Sequence, residues 1–160
     1  MRPLPNPTSI AVWLAIAAGA SPAVAQSPGF VGTWHWNKAQ SSVAAGDSPP
    51  SEVVLAIAAA ESGRVQWTLT GTDPKGVKHV ESYNGSGDGK PAAVTGAAPG
   101  TVASFTVTPT TLAASYSNPD GSSERTSCTL SPDRRQMICA GTENDGKGHT
   151  SDYRDVYDRQ

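Results

Sequence analysis

Arg64-Val65-Gln66-Trp67-Thr68-Leu69-Thr70 is a strictly alternating stretch of this sequence. In an extended chain Val65, Trp67 and Leu69 point to one side, and the polar residues point to the other. Turn-forming residues stand on both sides of the stretch, at 61–63 (Glu-Ser-Gly) and at 73–76 (Asp-Pro-Lys-Gly). The stretch therefore predicts a half-buried β-strand between two tight turns.

The same pattern recurs along most of the chain, and no 3.6-residue apolar period persists. Strands are predicted at residues 32–36, 53–59, 65–70, 77–83, 92–95, 101–107, 112–116, 126–130, 137–141 and 152–158. The glycine-rich stretch 84–91 is expected to project from the domain. Closure of such a meander removes its exposed edges. We therefore predict an all-β fold, a single antiparallel up-and-down β-barrel of 8–10 strands, with a flattened sandwich as the alternative.

Residues 1–25 are predicted to be a cleavable secretory signal peptide. Arg2 supplies a positive charge, residues 10–18 are apolar, and Ala23-Val24-Ala25 is an A-x-A cleavage signature. The apolar run is much shorter than the roughly 20 residues that span a bilayer, so an uncleaved anchor is the weaker alternative. We expect a periplasmic or secreted protein, without stable membrane insertion, whose folded domain is residues 26–160.

Composition narrows the classes of partner. Removing 25 of the 160 residues leaves 135, which suits one domain. Lys and Arg total 12 and Asp and Glu total 14, and these charges are scattered, so nucleic acid is not an expected partner. None of the three histidines lies in a known catalytic motif, and Asp152, Asp155 and Asp158 are interpreted as solvated charges. We predict a monomer that is not an enzyme and needs no cofactor.

The two cysteines are predicted to pair. Cys128 and Cys139 flank a segment that reads as a hairpin turning at Pro132-Asp133. With a four-residue loop at 132–135, the cysteines lie opposite each other and within bridging distance. Exported proteins commonly contain such disulfides. Two free buried thiols are the alternative, and two thiols alone supply only half of a tetrahedral metal site.

Residues 71–79 and 141–149 share one sequence pattern, G-T-acid-x-x-G-x-x-H. The simpler interpretation is a shared hairpin turn, in which glycine adopts a positive φ and the acid binds turn amides. The alternative is a metal or anion site formed by His79 and His149, with His35 as a third ligand. We favour the turn, and no metal is predicted.

Gly32-Thr33-Trp34 resembles the G-x-W motif in the first strand of lipocalins and related calycin barrels. Segments 32–41, 70–76, 130–133, 141–147 and 156–160 resemble a group of small bacterial exported proteins with a lipocalin-like barrel. The T-D-Y motif of lipocalins is absent, so the expected class is lipocalin-like. The resemblance implies that Trp34 closes the barrel floor beneath an arginine. Arg154 is the candidate, and a solvated Arg154 is the alternative.

A barrel of this size can hold one small ligand, which predicts a binding module for a small apolar molecule in the lumen. Small residues such as Ala59, Ala103, Ala114 and Gly141 are expected to leave room there. The candidate lumen residues are Trp36, Trp67, Leu69, Phe105, Tyr116 and Met137. The same aromatic side chains could instead fill the core.

The alternative function acts on a protein partner through the surface of a filled barrel. Small exported barrels of this kind resemble bacterial metalloprotease inhibitors, whose N-terminal segment enters the protease cleft. Residues 26–31 are the corresponding candidate segment. An envelope interaction protein without a small ligand is a related alternative.

Overall fold

The computed structural model describes residues 29–43 and 48–160, so the predicted signal peptide lies outside the described residues. The described part contains strands and no helix. The strands are β1 (Gly32–Trp36), β2 (Glu52–Glu61), β3 (Arg64–Thr72), β4 (Lys78–Gly85), β5 (Ala92–Thr95), β6 (Val102–Val107), β7 (Thr111–Ser117), β8 (Ser123–Leu130), β9 (Gln136–Asn144) and β10 (Thr150–Arg159). Within these residues, no helix is long and apolar enough to cross a membrane.

Each strand pairs antiparallel with the next one in the chain, and β10 returns to pair with β1. Trp34 is opposite Arg159 across the closing pair of strands, and Trp36 is opposite Tyr157. The structure is therefore a closed, ten-stranded up-and-down β-barrel. This confirms the predicted fold and excludes the flattened sandwich.

The strand order gives the barrel two distinct ends. One end, which we call the floor, contains the start of β1, the end of β10 and the β2–β3, β4–β5, β6–β7 and β8–β9 connections. The other end, which we call the mouth, contains the β1–β2, β3–β4, β5–β6, β7–β8 and β9–β10 connections.

Trp34 lies at the floor end of the barrel. Its side chain is fully buried, and its Nε1 donates a hydrogen bond to the Phe30 carbonyl at 2.8 Å. The residue above the ring is Arg159, whose guanidinium carbon lies 4.0 Å from the ring centroid. Gly32 has a φ of 148°, and a methyl group there would overlap this guanidinium. The glycine of the motif is therefore required by both backbone and space.

Arg154 does not occupy the position predicted for it. It is exposed, and it donates a hydrogen bond to the Gln40 carbonyl at 2.7 Å. The prediction rested on its sharing a strand face with Val156, which is indeed fully buried. However, Val156 does not belong to the interior core, and its backbone binds Asn37 and Ser41 of the chain after β1. The interior face of β10 is the other one, which carries Arg159.

Two local expectations are also corrected. A bulge between Ile57 and Ala59 shifts the register of β2, so Ala60 rather than Ala59 packs against the core. The stretch 84–91 does not project from the domain. Gly87 is buried there, and its amide donates to the Ser62 carbonyl at 2.9 Å while its carbonyl accepts from Val107. The segment therefore folds against the floor.

The cysteine hairpin forms as predicted. Ser131 and Gln136 close a four-residue loop at 132–135, where Arg134 adopts a φ of 56°. Cys128 and Cys139 are direct partners across β8 and β9, and they form a disulfide. The bridge lies inside the barrel, since both cysteines are buried in its core.

The two similar segments, 71–79 and 141–149, both form hairpin turns of the same kind. The residues that play equivalent roles in the two turns are not the ones that the sequence pattern aligns. In the first turn, the Asp73 carboxylate accepts from the Lys75 and Val77 amides. In the second, Asp145 rather than Glu143 does this, accepting from the amides of residues 147 and 149. Gly76 and Gly148 have φ values of 83° and 97°. The simpler interpretation therefore explains both segments.

Candidate functional site

The barrel encloses a cavity of about 580 Å³. This volume falls within the range of roughly 300–1,000 Å³ that small-molecule sites occupy. The cavity is lined from Met137 in the interior up to Val43, Ala97 and Asn118 in the connections of the mouth. The side chains of the described residues therefore leave part of the lumen open.

Five of the six predicted lumen residues line this cavity: Trp67, Leu69, Phe105, Tyr116 and Met137. The sixth, Trp36, is not among the lining residues. Its indole Nε1 instead donates a hydrogen bond at 2.7 Å to the Asp155 carboxylate, which does line the cavity. Trp36 thus lies on the same face of β1 as Trp34, packs against the interior core and holds the Asp155 carboxylate.

The deep part of the cavity is apolar and aromatic. Trp67 stacks on Tyr83 with ring centroids 6.1 Å apart, and its edge meets Phe105 at 6.3 Å. Phe105 in turn meets Tyr116 edge-on at 5.9 Å. The wall is completed by Ile57, Leu112, Met137 and the disulfide. Such offset and edge-to-face contacts hold the rings in fixed orientations.

Four carboxylate side chains also line the cavity, and we call them the acidic band: Glu81, Glu124, Glu143 and Asp155. They come from β4, β8, β9 and β10. Glu124 and Glu143 are directly opposite each other across β8 and β9. None of the described residues that line the cavity is Lys, Arg or His. The band therefore gives the lumen a negative potential, which its apolar walls strengthen.

Glu124 is a partly buried carboxylate of the band. Burial raises its pKa, and the neighbouring Glu143, Asp155 and Glu81 raise it further, while a hydrogen bond from the Tyr153 hydroxyl opposes them. The carboxylate is therefore held in place by Tyr153 but incompletely stabilised in its charged form.

Asp155 is half-buried rather than solvated, which corrects the sequence interpretation. Burial raises the pKa of its carboxyl group, and the hydrogen bond from Trp36 partly offsets this. The exposed Asp152 binds the Thr142 hydroxyl, and Asp158 accepts from Asn37 and Gln136. Only Asp155 of the three lines the cavity.

Tyr157 adds a tyrosine ring and its hydroxyl to the cavity wall. Its side chain lines the cavity and is 7% exposed. Burial raises the pKa of its hydroxyl, and Asp155 and Glu124 raise it further.

Sequence reasoning missed the acidic band, although its signal was present. The alternation placed Thr126, Cys128 and Leu130 on one face of β8, and Met137, Cys139 and Gly141 on one face of β9. One more step in each strand reaches Glu124 and Glu143. Both glutamates were overlooked because a charged residue is ordinarily assigned to the solvent side.

The chain before β1 is fastened to the floor from Gly29 onward. Phe30 is 3% exposed, and the carbonyls of Gly29 and Val31 accept hydrogen bonds from Arg159 at 2.5 and 2.7 Å. Residues 29–31 therefore do not form the extended segment expected of an inhibitor. The remainder of the candidate segment, residues 26–28, lies outside the described residues.

The three histidines do not form the alternative metal site. His79 and His149 are exposed, and His149 Nδ1 lies 2.8 Å from Asp145 in its own turn. This contact, together with the turn amides, lowers the pKa of Asp145 to about 2. Among the residues with a described placement, no group of three or more His, Cys, Asp or Glu could hold a metal ion.

Comparisons with known proteins match this chain to solved structures. One is described as "Structure of EF1p2_mFAP2b bound to DFHBI", with 15% sequence identity and a TM-score of 0.48. The match covers 81% of this chain and 93% of the other. No protein-family model and no curated protein sequence matches the chain.

Proposed function

We propose that this protein is an exported, lipocalin-like binding module that holds one small, largely apolar molecule in the barrel lumen. The observation that carries the proposal is the cavity of about 580 Å³, whose deep wall is aromatic and aliphatic. Burial of apolar ligand surface against Trp67, Phe105 and Met137 supplies the affinity. The polar groups near the mouth orient the ligand.

Two further features support a rigid, exported binder. The disulfide joins β8 to β9 in the cavity wall, and such bridges persist in oxidising compartments. The stacked and edge-to-face rings fix the wall before a ligand arrives, which lowers the entropic cost of binding. The signal peptide at residues 1–25 stays a prediction.

The surface-acting alternative receives less support from the same geometry. It requires a filled lumen and an extended segment before β1, whereas the cavity is large and residues 29–31 are bound to the floor. An inhibitor of that kind would keep its activity when the lumen is altered.

Native mass spectrometry tests the proposal on the full chain, expressed in a bacterium and purified gently from the periplasm. We expect a co-purifying small-molecule mass that is lost on denaturation and is absent from a Trp67→Ala variant. Val80→Ala, on the exposed outer side of β4, is the matched control and should retain that mass. Wild-type protein that carries no small molecule, and takes up none from a lipid extract of the host, would contradict the proposal.

A further inference from the structure

We propose that residues 95–99, which lead from the end of β5 into the β5–β6 connection, form a gate that moves away from β4 to admit a ligand to the lumen. We call these residues the rim segment. This inference rests on the proposed binding function and adds to it the route of entry. It follows from a notch in the described barrel wall, from the fixed base of the connection, and from the contact between the rim segment and β4.

The notch lies beside β4, because β5 is the shorter of the two strands. β5 pairs with β4 at Ser82–Thr95 and Tyr83–Val94, and Thr95 is its last residue. β4 extends beyond these pairs toward the mouth as residues 78–81. Within the described ranges, no strand pairs with residues 78–81 on the side of β4 that faces β5. The barrel wall therefore has a notch at this height, and the rim segment spans it.

The rim segment contacts β4 closely without being hydrogen-bonded to it along the notch. A methyl group on Gly96 would overlap the Val80 carbonyl oxygen, so the two backbones are in direct contact. In the described part of the chain, no backbone hydrogen bond joins residues 96–99 to residues 78–81. Segments with few hydrogen bonds open at a lower cost in free energy than paired strands do. The contact with β4 is therefore the one that separates most readily.

The base of the connection is fixed at Thr101. This residue is 5% exposed, and its hydroxyl donates a hydrogen bond at 2.7 Å to Asn118 Oδ1, just after β7. Its carbonyl accepts a hydrogen bond from the Val94 amide at 3.1 Å. A further bond, from the Thr101 amide to the Ala98 carbonyl at 3.0 Å, closes the turn into which the rim segment leads. Thr101 is therefore a fixed point from which the rim segment swings.

Ala97 is the residue of the rim segment that closes the lumen at the notch. It lines the cavity and packs against the interior core, while its neighbours Gly96 and Ala98 are exposed. Glu81, on the facing part of β4, also lines the cavity. Gly96 has a φ of 88°, and a glycine backbone changes conformation at little cost. Movement of Ala97 away from β4 would therefore open the cavity through the notch.

A crosslink that holds the rim segment to β4 tests this route. Ser82→Cys/Thr95→Cys joins direct partners at the edge of the notch. Ser104→Cys/Ser115→Cys is the matched control, since it joins direct partners in β6 and β7, which pair along their whole facing length. Peptide mapping of the unreduced proteins verifies that the new cysteines pair with each other and that the native disulfide is intact.

Stopped-flow fluorescence with N-phenyl-1-naphthylamine, a neutral probe that brightens in apolar surroundings, measures both rate constants on the full chain. The crosslink between positions 82 and 95 should slow association and dissociation at least about tenfold and change Kd less than about twofold. Both rates change together because a gate alters the barrier and neither end state. The control crosslink should keep the wild-type rates.

Gly96→Ala should have the opposite effect. Its methyl group would overlap the Val80 carbonyl and press the rim segment away from β4, so both rate constants should rise at least about threefold. Gly76→Ala is the control, because Gly76 lies in the β3–β4 connection at the same end of the barrel and has a φ of 83°. A methyl group there would meet open space, so this variant carries a similar backbone cost without a contact at the notch.

The outcomes separate the gate from the function on which it rests. A probe that binds with the same rates in the wild type, the 82–95 crosslink and Gly96→Ala would overturn the gate while supporting a lumen that binds apolar molecules. Equal slowing by both crosslinks would show that the stiffness of the whole wall controls entry, and would also overturn the gate. Failure of the probe to bind the wild type would overturn both the gate and the binding function.

Discussion

The Arg159 guanidinium lies 4.0 Å from the centroid of the Trp34 ring, and the two residues are direct partners across the strands that close the barrel. The same guanidinium group donates hydrogen bonds to the carbonyls of Gly29, Val31 and Arg134. One side chain from the last strand therefore fastens the chain before the first strand and joins the floor to the β8–β9 loop. Burial, followed by the nearby Arg134, lowers the pKa of Arg159.

Arg159→Ala should lower the free energy of unfolding by about 2–4 kcal/mol, because it removes the cation–π contact and leaves three carbonyls without their charged donor. Arg159→Lys should recover only part of this, since an ammonium group cannot reproduce the planar fork. Arg154→Ala is the control, with an expected loss within about 0.5 kcal/mol for an exposed side chain. Urea denaturation measures all three. Equal losses at positions 154 and 159 would contradict this account of the floor.

Alternation and turn chemistry were sufficient to predict an antiparallel barrel of 8–10 strands, with a flattened sandwich as the alternative, and the structure has ten. The disulfide followed from the loop length that the sequence suggested for residues 132–135. Both features depend on local rules, because a hairpin register is set by its own turn.

Features that depend on which side of the wall a residue faces were harder to predict. Arg154 was assigned to the interior because Val156 is apolar, yet Val156 is buried beside the chain that follows β1. The bulge after Ile57 exchanged the roles of Ala59 and Ala60 in a similar way. The acidic band was missed because charged residues are ordinarily expected on the solvent side of a strand, whereas these four carboxylates face the lumen. To predict each of these positions, one must know which residues pack against the strand in the folded protein. The alternation pattern of a single strand does not contain that information.

Removal of the disulfide should cost about 3 kcal/mol, as expected for a bridge between residues separated by 11 positions. The double variant Cys128→Ala/Cys139→Ala removes the bridge without leaving a free thiol in the cavity wall. Its free energy of unfolding should match that of the wild type under reducing conditions, within the effect of the smaller side chains. Thiol labelling of denatured, unreduced wild-type protein should find no reactive cysteine. Two labelled thiols would show that the bridge does not form.

Stability should increase as the pH is lowered from 7 toward the ordinary glutamate pKa of 4.5. Glu124 and Asp155 have raised pKa values in the folded protein, so the folded state binds protons more tightly than the unfolded state in this range. The exposed Asp88, Asp120, Asp133 and Asp145 have lowered pKa values, and their contribution is lost only as the pH falls below their ordinary value of 3.8.

Urea denaturation from pH 7 to 4.5 measures this dependence. Glu124→Gln should flatten the profile, since the group responsible for much of it no longer titrates, and Tyr153 can still donate to the amide oxygen. Glu52→Gln, which changes an exposed carboxylate at the start of β2, should keep the wild-type slope. A wild-type stability that falls steadily over this interval would contradict the assignment.

Tyr83→Phe should raise the free energy of unfolding by about 1 kcal/mol. Tyr83 is 2% exposed, and within the described part of the chain its buried hydroxyl has no hydrogen-bond partner. Removing an unsatisfied polar atom avoids the cost of its desolvation, while the ring keeps its contacts with Trp67 and Phe105. Thermal denaturation measures the change. Tyr116→Phe, on the cavity wall, is the comparison. A destabilised Tyr83→Phe would reveal an unrecognised partner.

Gly141→Ala should destabilise the barrel by about 1–3 kcal/mol through overpacking, because a methyl group at this position would overlap the Tyr153 ring directly across the strand pair. Tyr153 would have to move, and its hydrogen bond to Glu124 would be weakened with it.

Gly71→Ala is the matched control. That glycine also lies within a strand, and a methyl group there would make only an ordinary contact with Leu69 at 3.9 Å. Since glycine is unfavourable inside strands, the control should be neutral or slightly stabilising. Urea denaturation, with near-ultraviolet circular dichroism to follow the tyrosines, separates the two variants. Equal behaviour at positions 71 and 141 would show that Tyr153 is not packed on the glycine, and the support it gives to Glu124 in the acidic band would then need another source.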